Sequence, residues 1–191
     1  MTVEPGARDD AALVNAALAG ENRAFTDIMR RHKDAVYRFI RRYVGDADEA
    51  YDLTQETFLS AWNALSGFDT SKPLLAWLRR IALNKCRDWS RRRQVRRFFF
   101  AAKSIDAGSI DVQQPPMATG AEESQMAALD VCIAALPRSL KEPLLLTVVE
   151  GLSHKEAAVA LKISPKAIET RIYRARQMLA RDLGLAAASD D

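Results

Sequence analysis

Breakers, aromatics and sulfur are all scarce in this chain of 191 residues, with 8 Gly, 7 Pro, 7% aromatics and 2 Cys. With so few Gly and Pro and so much Ala, Leu, Arg and Glu, the balance favours helices over a sheet. Cys86 and Cys132 stand far apart and form no C-x-x-C pair, which argues against a thiol-built zinc site and for two reduced, partly buried thiols. No apolar run reaches the roughly 18 residues that a membrane helix needs. Residues 1–10 are polar and acidic and lack the apolar stretch of a signal peptide. These absences predict a reduced cytoplasmic protein without membrane insertion. Histidine is limited to His32 and His154, neither at helical spacing from an acidic cluster. With no H-E-x-x-H and no P-loop, the chain is expected to be no enzyme and to need no metal and no cofactor.

What is present suffices to fold. Hydrophobic residues make up 48% and charged residues 28%, too apolar a mix for a disordered polymer. The length fits one ordinary domain or two small ones. A net charge of +3 says little, but its distribution says more. Residues 44–69 hold six acids and no Lys or Arg. Residues 79–97 hold nine bases against Asp88 alone, residues 104–130 five acids and no base, and residues 162–181 six bases against Glu169. Two basic blocks set between acidic ones suggest two sites for a polyanion and an acidic surface for something else.

Apolar periodicity divides the chain. Phe25, Ile28, Met29, Val36, Phe39, Ile40 and Tyr43 recur at three- and four-residue steps, and Gly45-Asp46 breaks that helix. Leu53, Thr57/Phe58, Ala61/Trp62 and Leu65 trace a second stripe. Residues 66–73 carry turn chemistry, with Pro73 suited to the first turn of the next helix. From Arg93 to Glu122 the helical period lapses, and Gly108, Gln113-Gln114-Pro115-Pro116 and Gly120 mark a linker. Helices then resume. Ser139 with Glu142, and Ser153 with Glu156, are predicted capping boxes, Pro143 is placed in a first helical turn, and Gly151 is expected to end an apolar run. The expected fold is all-α, with two small helical domains joined by a flexible linker. Its parts are an N-terminal arm (1–20), a first domain (21–97), the linker (98–121), a second domain (122–184) and a tail (185–191).

The sharpest local pattern runs from Ser153 to Leu183. A short helix is followed by the turn Lys162-Ile163-Ser164, and Ser164 caps, and Pro165 opens, a longer helix. In that helix Ile168, Ile172, Ala175 and Leu179 share one stripe at 100° per residue. The opposite face carries Lys166, Thr170, Tyr173, Arg174 and Gln177, flanked by Glu169, Arg171 and Arg176. An apolar back with a basic, hydrogen-bonding front matches a recognition helix in a major groove. On that view Thr170 and Lys166 meet base edges, while Arg171, Arg174 and Arg176 suit phosphates or guanine. The alternative is a solvated basic face on an ordinary helix pair.

Arg80, Asn84, Arg87 and Arg91, at steps of four, three and four, line one face of an earlier helix, with Leu74, Leu78, Ile81, Ala82 and Trp89 on the other and Trp77 near the border. Such a stripe can follow a nucleic-acid backbone while aromatics beside it stack on unpaired bases. For Trp89 a core role is preferred. Asp48, Asp52, Gln55 and Glu56 cluster away from Leu53, Ala61 and Leu65. A docking face for a basic protein surface is the preferred reading of these acids, with a plain solvated face as its competitor.

Together these stretches resemble a known family. Asp48-Glu49-Ala50-Tyr51-Asp52-Leu53-Thr54-Gln55-Glu56-Thr57-Phe58-Leu59-Ser60-Ala61-Trp62 resembles the polymerase-binding helix of bacterial sigma factors. Phe68 together with Ala76-Trp77-Leu78-Arg79-Arg80-Ile81-Ala82-Leu83-Asn84-Lys85-Cys86-Arg87-Asp88 is similar to the promoter-melting helix that follows it. Leu136-Pro137, Glu150-Gly151-Leu152-Ser153 and Ile168-Glu169-Thr170-Arg171-Ile172-Tyr173-Arg174-Ala175-Arg176 resemble the family's C-terminal helix-turn-helix, and the overall size is that of the extracytoplasmic-function group. The resemblance implies that Asp48, Asp52, Gln55 and Glu56 bind the clamp helices of the polymerase largest subunit. It implies that Phe68, Asp69, Thr70, Ser71, Lys72, Trp77, Arg80, Asn84, Arg87 and Arg91 engage the minus-ten element, Phe68 and the loop after it forming a pocket for a flipped base. Lys166, Glu169, Thr170, Arg171, Tyr173, Arg174 and Arg176 would read the minus-thirty-five element, and the second domain would touch the polymerase flap. An anti-sigma factor is a further implied partner. A sigma-like decoy that sequesters an anti-sigma factor and a stand-alone helix-turn-helix regulator are the alternatives. Pro143, the Phe98-Phe99-Phe100 run and the tail depart from the family pattern.

Overall fold

The computed structural model describes residues 9–103 and 121–184, with side chains described for 9–96 and 128–184. Every regular element among the described residues is helical, as expected: α1 (Asp10–Leu18), α2 (Asn22–Val44), α3 (Ala47–Ala64), a 3-10 turn (Leu65–Gly67), α4 (Leu74–Lys103), α5 (Ala121–Ala135), α6 (Arg138–Leu144), a π-helical turn (Leu145–Val149), α7 (His154–Leu161) and α8 (Pro165–Asp182). The arm residues 1–8, most of the expected linker (104–120) and the tail 185–191 lie outside the described residues. The chain divides into two compact units, residues 9–40 with 46–103 and residues 41–45 with 121–184.

In the first unit the core follows the predicted stripes. Phe25, Ile28, Val36, Phe39 and Ile40 of α2 are buried, as are Leu53, Thr57, Phe58 and Ala61 of α3, and Leu65. From α4 come Leu74, Leu78, Ala82, Cys86 and Trp89, which places Trp89 in the core as preferred from its spacing. Asp46 caps α3, its Oδ1 accepting the Glu49 N–H at 2.9 Å. Asp9 caps α1, which is then held to α2 by a polar contact that the apolar pattern did not announce. Asp10 Oδ1 accepts from Arg31 at 2.7 Å, and both carboxylate oxygens lie 3.1 Å from Nε2 of the buried His32. Burial opposes the charge on Asp10, but the hydrogen bonds from Arg31 and His32 outweigh it and hold the carboxyl below its ordinary value.

Helix α4 runs through Lys103, so its backbone takes in residues 98–103, which the sequence reading places in the linker. The reason is local: Arg, Phe, Ala and Lys are all tolerated in a helix, and the first Gly comes only at Gly108. The Phe98-Phe99-Phe100 side chains lie outside the described residues.

The second unit packs α6, α7 and α8 against one another around Leu144, Leu145, Ala157, Ile168, Ile172, Ala175 and Leu179. Two of the predicted caps form. The Ser153 side chain accepts from the Glu156 N–H while the Glu156 carboxylate accepts from the Ser153 N–H, and Ser164 accepts from the Ala167 N–H with Pro165 in the first turn. Gly151, with φ +70°, ends the run before α7, as expected. The Ser139–Glu142 box does not form. Pro137, extended at ψ 139°, is itself the N-cap, so α6 starts at Arg138 and Ser139 lies inside it. The Glu142 carboxylate is taken by Arg138 Nε at 2.7 Å. Pro143 consequently falls beyond the first turn of α6, and the chain widens into the π-helical turn just after it.

Candidate nucleic-acid interface

In the first unit the loop after α3 is fixed by its own polar groups. Asp69 Oδ1 accepts from the Ser71 hydroxyl at 2.6 Å and from the Ser71 N–H at 3.1 Å, and Lys72 Nζ lies 3.1 Å from Asp69 Oδ2. These partners, the Ser71 bonds first, pull the Asp69 carboxyl down to about 2. Pro73 sits just ahead of α4, its carbonyl accepting the Trp77 N–H at 3.3 Å. The loop and the start of α4 border an open pocket of about 290 Å³ lined by Phe68, Asp69, Lys72, Trp77 and Arg80. The Phe68 and Trp77 rings meet at 4.9 Å between centroids, tilted by 46°. Ser71 is exposed beside the cavity, as is Thr70. An aromatic wall, a fixed anion and two cations around a space of this size suit a flat, polar heterocycle.

Along α4, Arg80, Asn84 and Arg91 are exposed and Arg87 is half-buried, on the side away from Leu78, Ala82 and Trp89. Arg91 also pairs with Asp88 on the same helix. The stripe therefore begins at the cavity, through Arg80, and continues along the helix. The Arg93 guanidinium covers the Trp89 ring at 5.1 Å.

On α3, Asp48, Asp52 and Gln55 are exposed, but Glu56 is half-buried and faces Lys85 of α4 at 3.6 Å. Of the four predicted docking residues, three thus stand free of the bundle and the fourth also bridges two helices. Sequence reasoning missed the apolar part of this face. Tyr51, Leu59 and Trp62 are 50%, 64% and 40% exposed, among the most exposed large apolar side chains of the first unit. The signal was there: Leu59 stands three residues after Glu56 and seven after Asp52, on the polar side of the helix. Trp62, assigned by spacing to the buried stripe, sits at its edge, its ring 4.8 Å from Phe25 in an edge-on contact.

In the second unit the helix-turn-helix has the predicted geometry. Lys162 closes α7 in the left-handed region, with φ 55° and ψ 47°, and Ser164-Pro165 start α8. Ile168, Ile172, Ala175 and Leu179 are the buried residues of α8. Lys166, Glu169, Thr170, Tyr173, Arg174, Arg176 and Gln177 are exposed, and Arg171 is half-buried. Lys166 Nζ donates to Glu169 Oε2 at 3.0 Å, and Gln177 donates to the Tyr173 hydroxyl at 2.7 Å. One flank of α8 faces a groove of about 780 Å³, with Val148, Leu152 and His154 on its far side and Glu169, Tyr173 and Arg176 on its near side. Among the described residues no cluster of His, Cys, Asp or Glu is suited to a metal ion, and no helix is long and apolar enough to cross a membrane.

Comparison with known proteins accounts for both halves. Residues 28–96 match the family model of sigma-70 region 2, and residues 126–179 match that of sigma-70 region 4. The chain is 39% identical over 172 residues to RNA polymerase sigma factor NccH of Alcaligenes xylosoxydans xylosoxydans, an alignment that covers 89% of this chain and 92% of that one. It is 37% identical over 175 residues to RNA polymerase sigma factor CnrH of Cupriavidus metallidurans, with coverages of 89% and 92%. To the ECF RNA polymerase sigma-E factor of Haemophilus influenzae it is 30% identical over 177 residues, with coverages of 89% and 93%. The solved structure of CnrH in complex with the cytosolic domain of CnrY superposes with a TM-score of 0.64 at 31% identity, covering 93% of this chain and 99% of that one. This chain therefore belongs to the sigma-70 family, in its extracytoplasmic-function group, and is a transcription-initiation factor.

Proposed function

We propose that the two basic helical faces and the acidic-apolar face of α3 divide the work of initiation. The first unit binds core polymerase through Asp48, Asp52 and Gln55, with Tyr51, Leu59 and Trp62 as apolar anchors, against the clamp helices of the largest subunit. Glu56 contributes from the edge of that face, where Lys85 steadies it. Charged residues around desolvated apolar anchors are the ordinary anatomy of a tight protein interface.

The same unit opens the minus-ten element. Opening a duplex costs about 1–2 kcal/mol of stacking per base-pair step. Binding supplies it: Arg80, Arg87 and Arg91 hold phosphates, Asn84 reaches the separated strand, and the pocket walled by Phe68, Asp69, Lys72, Trp77 and Arg80 captures an unstacked base. The fixed loop of Asp69, Thr70, Ser71 and Lys72 forms the rim of that cavity. The second unit docks α8 in the major groove of the minus-thirty-five element, with Lys166, Glu169, Thr170 and Tyr173 toward base edges and Arg171, Arg174 and Arg176 toward phosphates, and it touches the polymerase flap. The protein works in the cytoplasm with the polymerase, under an anti-sigma factor, a reading supported by the relative CnrH having been solved with the cytosolic domain of CnrY.

The observation that carries this reading is the coexistence, on one chain, of a preformed aromatic-and-polar cavity at the head of a basic helix and a separate capped helix-turn-helix with a basic front. Run-off transcription tests it: core polymerase plus this protein, on a genomic library, yields transcripts from a defined set of start sites. Stable core binding without any promoter-dependent transcript would contradict it, and so would sequence-specific DNA binding that needs no polymerase.

A further inference from the structure

Glu169 is an anomaly on the DNA face of α8. It is the only acid from Lys162 to Arg181, a stretch that also holds six bases. A carboxylate on a surface that meets phosphates is repelled by them, which favours a neutral or cationic side chain there unless the carboxylate has a donor to meet. It is not buried, and it serves no cap, since Ser164 caps α8. It stands five residues into the helix, in the N-terminal part that approaches base edges in helix-turn-helix docking. Its one partner given by geometry is Lys166, one turn earlier and itself exposed, at 3.0 Å. That bond is the first cause holding the Glu169 carboxyl below its ordinary value, so the group is anionic at neutral pH.

The pair presents a strong acceptor and a strong donor side by side. In the major groove cytosine offers a lone donor, its N4 amine, and guanine offers two acceptors, O6 and N7. Adenine places its N7 acceptor next to its N6 donor, which repels a carboxylate, and thymine offers no donor at all. We propose that Glu169 is a specificity-determining residue that accepts from the N4 amine of a cytosine in the upstream promoter element, with Lys166 donating to guanine O6 or N7 in the same or the adjoining base pair. Lys166 thus both orients the carboxylate and screens it from nearby phosphates. This inference rests on the docking of α8 proposed above and adds to it the chemistry of one position.

The competing explanation is a solvated ion pair of consecutive helical turns, which contributes little and says nothing about sequence. The two separate cleanly. Holoenzyme formed from core polymerase and the full chain is selected against promoters randomised across the upstream element, for the parent protein and for Glu169→Ala, Glu169→Gln and Arg174→Ala. The expected result is one position where the parent protein prefers C·G by roughly 5- to 150-fold, the range of a good base contact. That preference vanishes in Glu169→Ala and moves toward A·T in Glu169→Gln, because an amide pairs with adenine N6 and N7. Preferences elsewhere in the element persist. If Glu169→Ala and Glu169→Gln raise or lower affinity equally for all sequences, the base contact is overturned while the docking of α8 stands. If the parent protein shows no upstream preference and Arg174→Ala changes nothing, the docking fails and this inference fails with it.

Discussion

The two basic surfaces are built on opposite principles. In the first unit the decisive feature is concave: a loop locked by Asp69, Ser71 and Lys72, two aromatic rings 4.9 Å apart, and a cavity of about 290 Å³. In the second it is a convex ridge, the exposed face of α8, whose side chains stand in solvent and whose one flank borders an open groove of about 780 Å³. A base taken out of its stack has lost its partners and needs a prepared container, whereas an intact duplex already displays its edges and needs a protruding reader. On the function proposed above, the difference accounts for the chain carrying both surfaces, since neither shape does the other's task.

The comparison can be broken most forcefully from the α3 face, on which both surfaces depend in the function proposed above. Leu59→Asp puts a charge in the apolar part of the α3 face without touching the core, since Leu59 is 64% exposed. It is expected to weaken core-polymerase binding by about 2–4 kcal/mol, as for a central interface anchor, with helicity unchanged. A competition titration against labelled parent protein measures it, and an unchanged affinity removes Leu59 from the interface.

Next comes the concave site. Trp77→Ala deletes one wall of the cavity, and loss of a stacked base costs about 1–3 kcal/mol. Permanganate reactivity of the minus-ten thymines should fall roughly ten-fold or more, while closed-complex binding in a gel-shift titration stays within two-fold. Equal losses in both assays would mean that the ring supports the fold rather than the melted strand. Asn84→Ala should show the same pattern more weakly.

For the convex site, Arg174→Ala should cost about 1 kcal/mol of upstream-element affinity and flatten the dependence of binding on salt by about one counterion. A drop confined to a single base pair, with no change in salt slope, would move Arg174 from phosphate to base.

Two smaller effects sharpen the contrast in rigidity. Lys162 holds a left-handed conformation that strains any residue with a Cβ, so Lys162→Gly should raise the thermal stability of the second unit by about 0.5–1 kcal/mol. Calorimetry reads this directly, and a destabilisation would mean that the Lys side chain makes up for the backbone strain. The loop of the first unit should respond to acid instead. Asp69 titrates at about 2 in the folded loop, below its ordinary 3.8, so its ordering of the loop is complete above about pH 4 and is lost as the pH falls through 2. Following the Ser71 amide by NMR from pH 5 to 2 should show that transition in the parent protein and none in Asp69→Asn.

Much of this was legible beforehand. The buried residues Ile168, Ile172, Ala175 and Leu179 follow from a 3.6-residue period, and the Ser153–Glu156 box and the Ser164-Pro165 start follow from cap chemistry within four residues. Such features are local, so the order of side chains suffices. The failures are equally instructive. Ser139 and Glu142 have the spacing of a capping box, but Pro137 supplied an extended residue two positions sooner and Arg138 took the carboxylate. Trp62 fits an apolar stripe, yet its position at the edge of α3 leaves much of its ring outside the bundle.

What the amino-acid order settled alone was the helical class, the two basic faces and most helix boundaries, because periodicity and capping act over a few residues. Only the tertiary structure decided which apolar residues stay in solvent, that His32 and Asp10 pin α1 to α2, and that the Phe68 and Trp77 rings meet on the wall of one open pocket. Those depend on distances between segments far apart in the chain, which are fixed only when helices have packed and excluded water from between them.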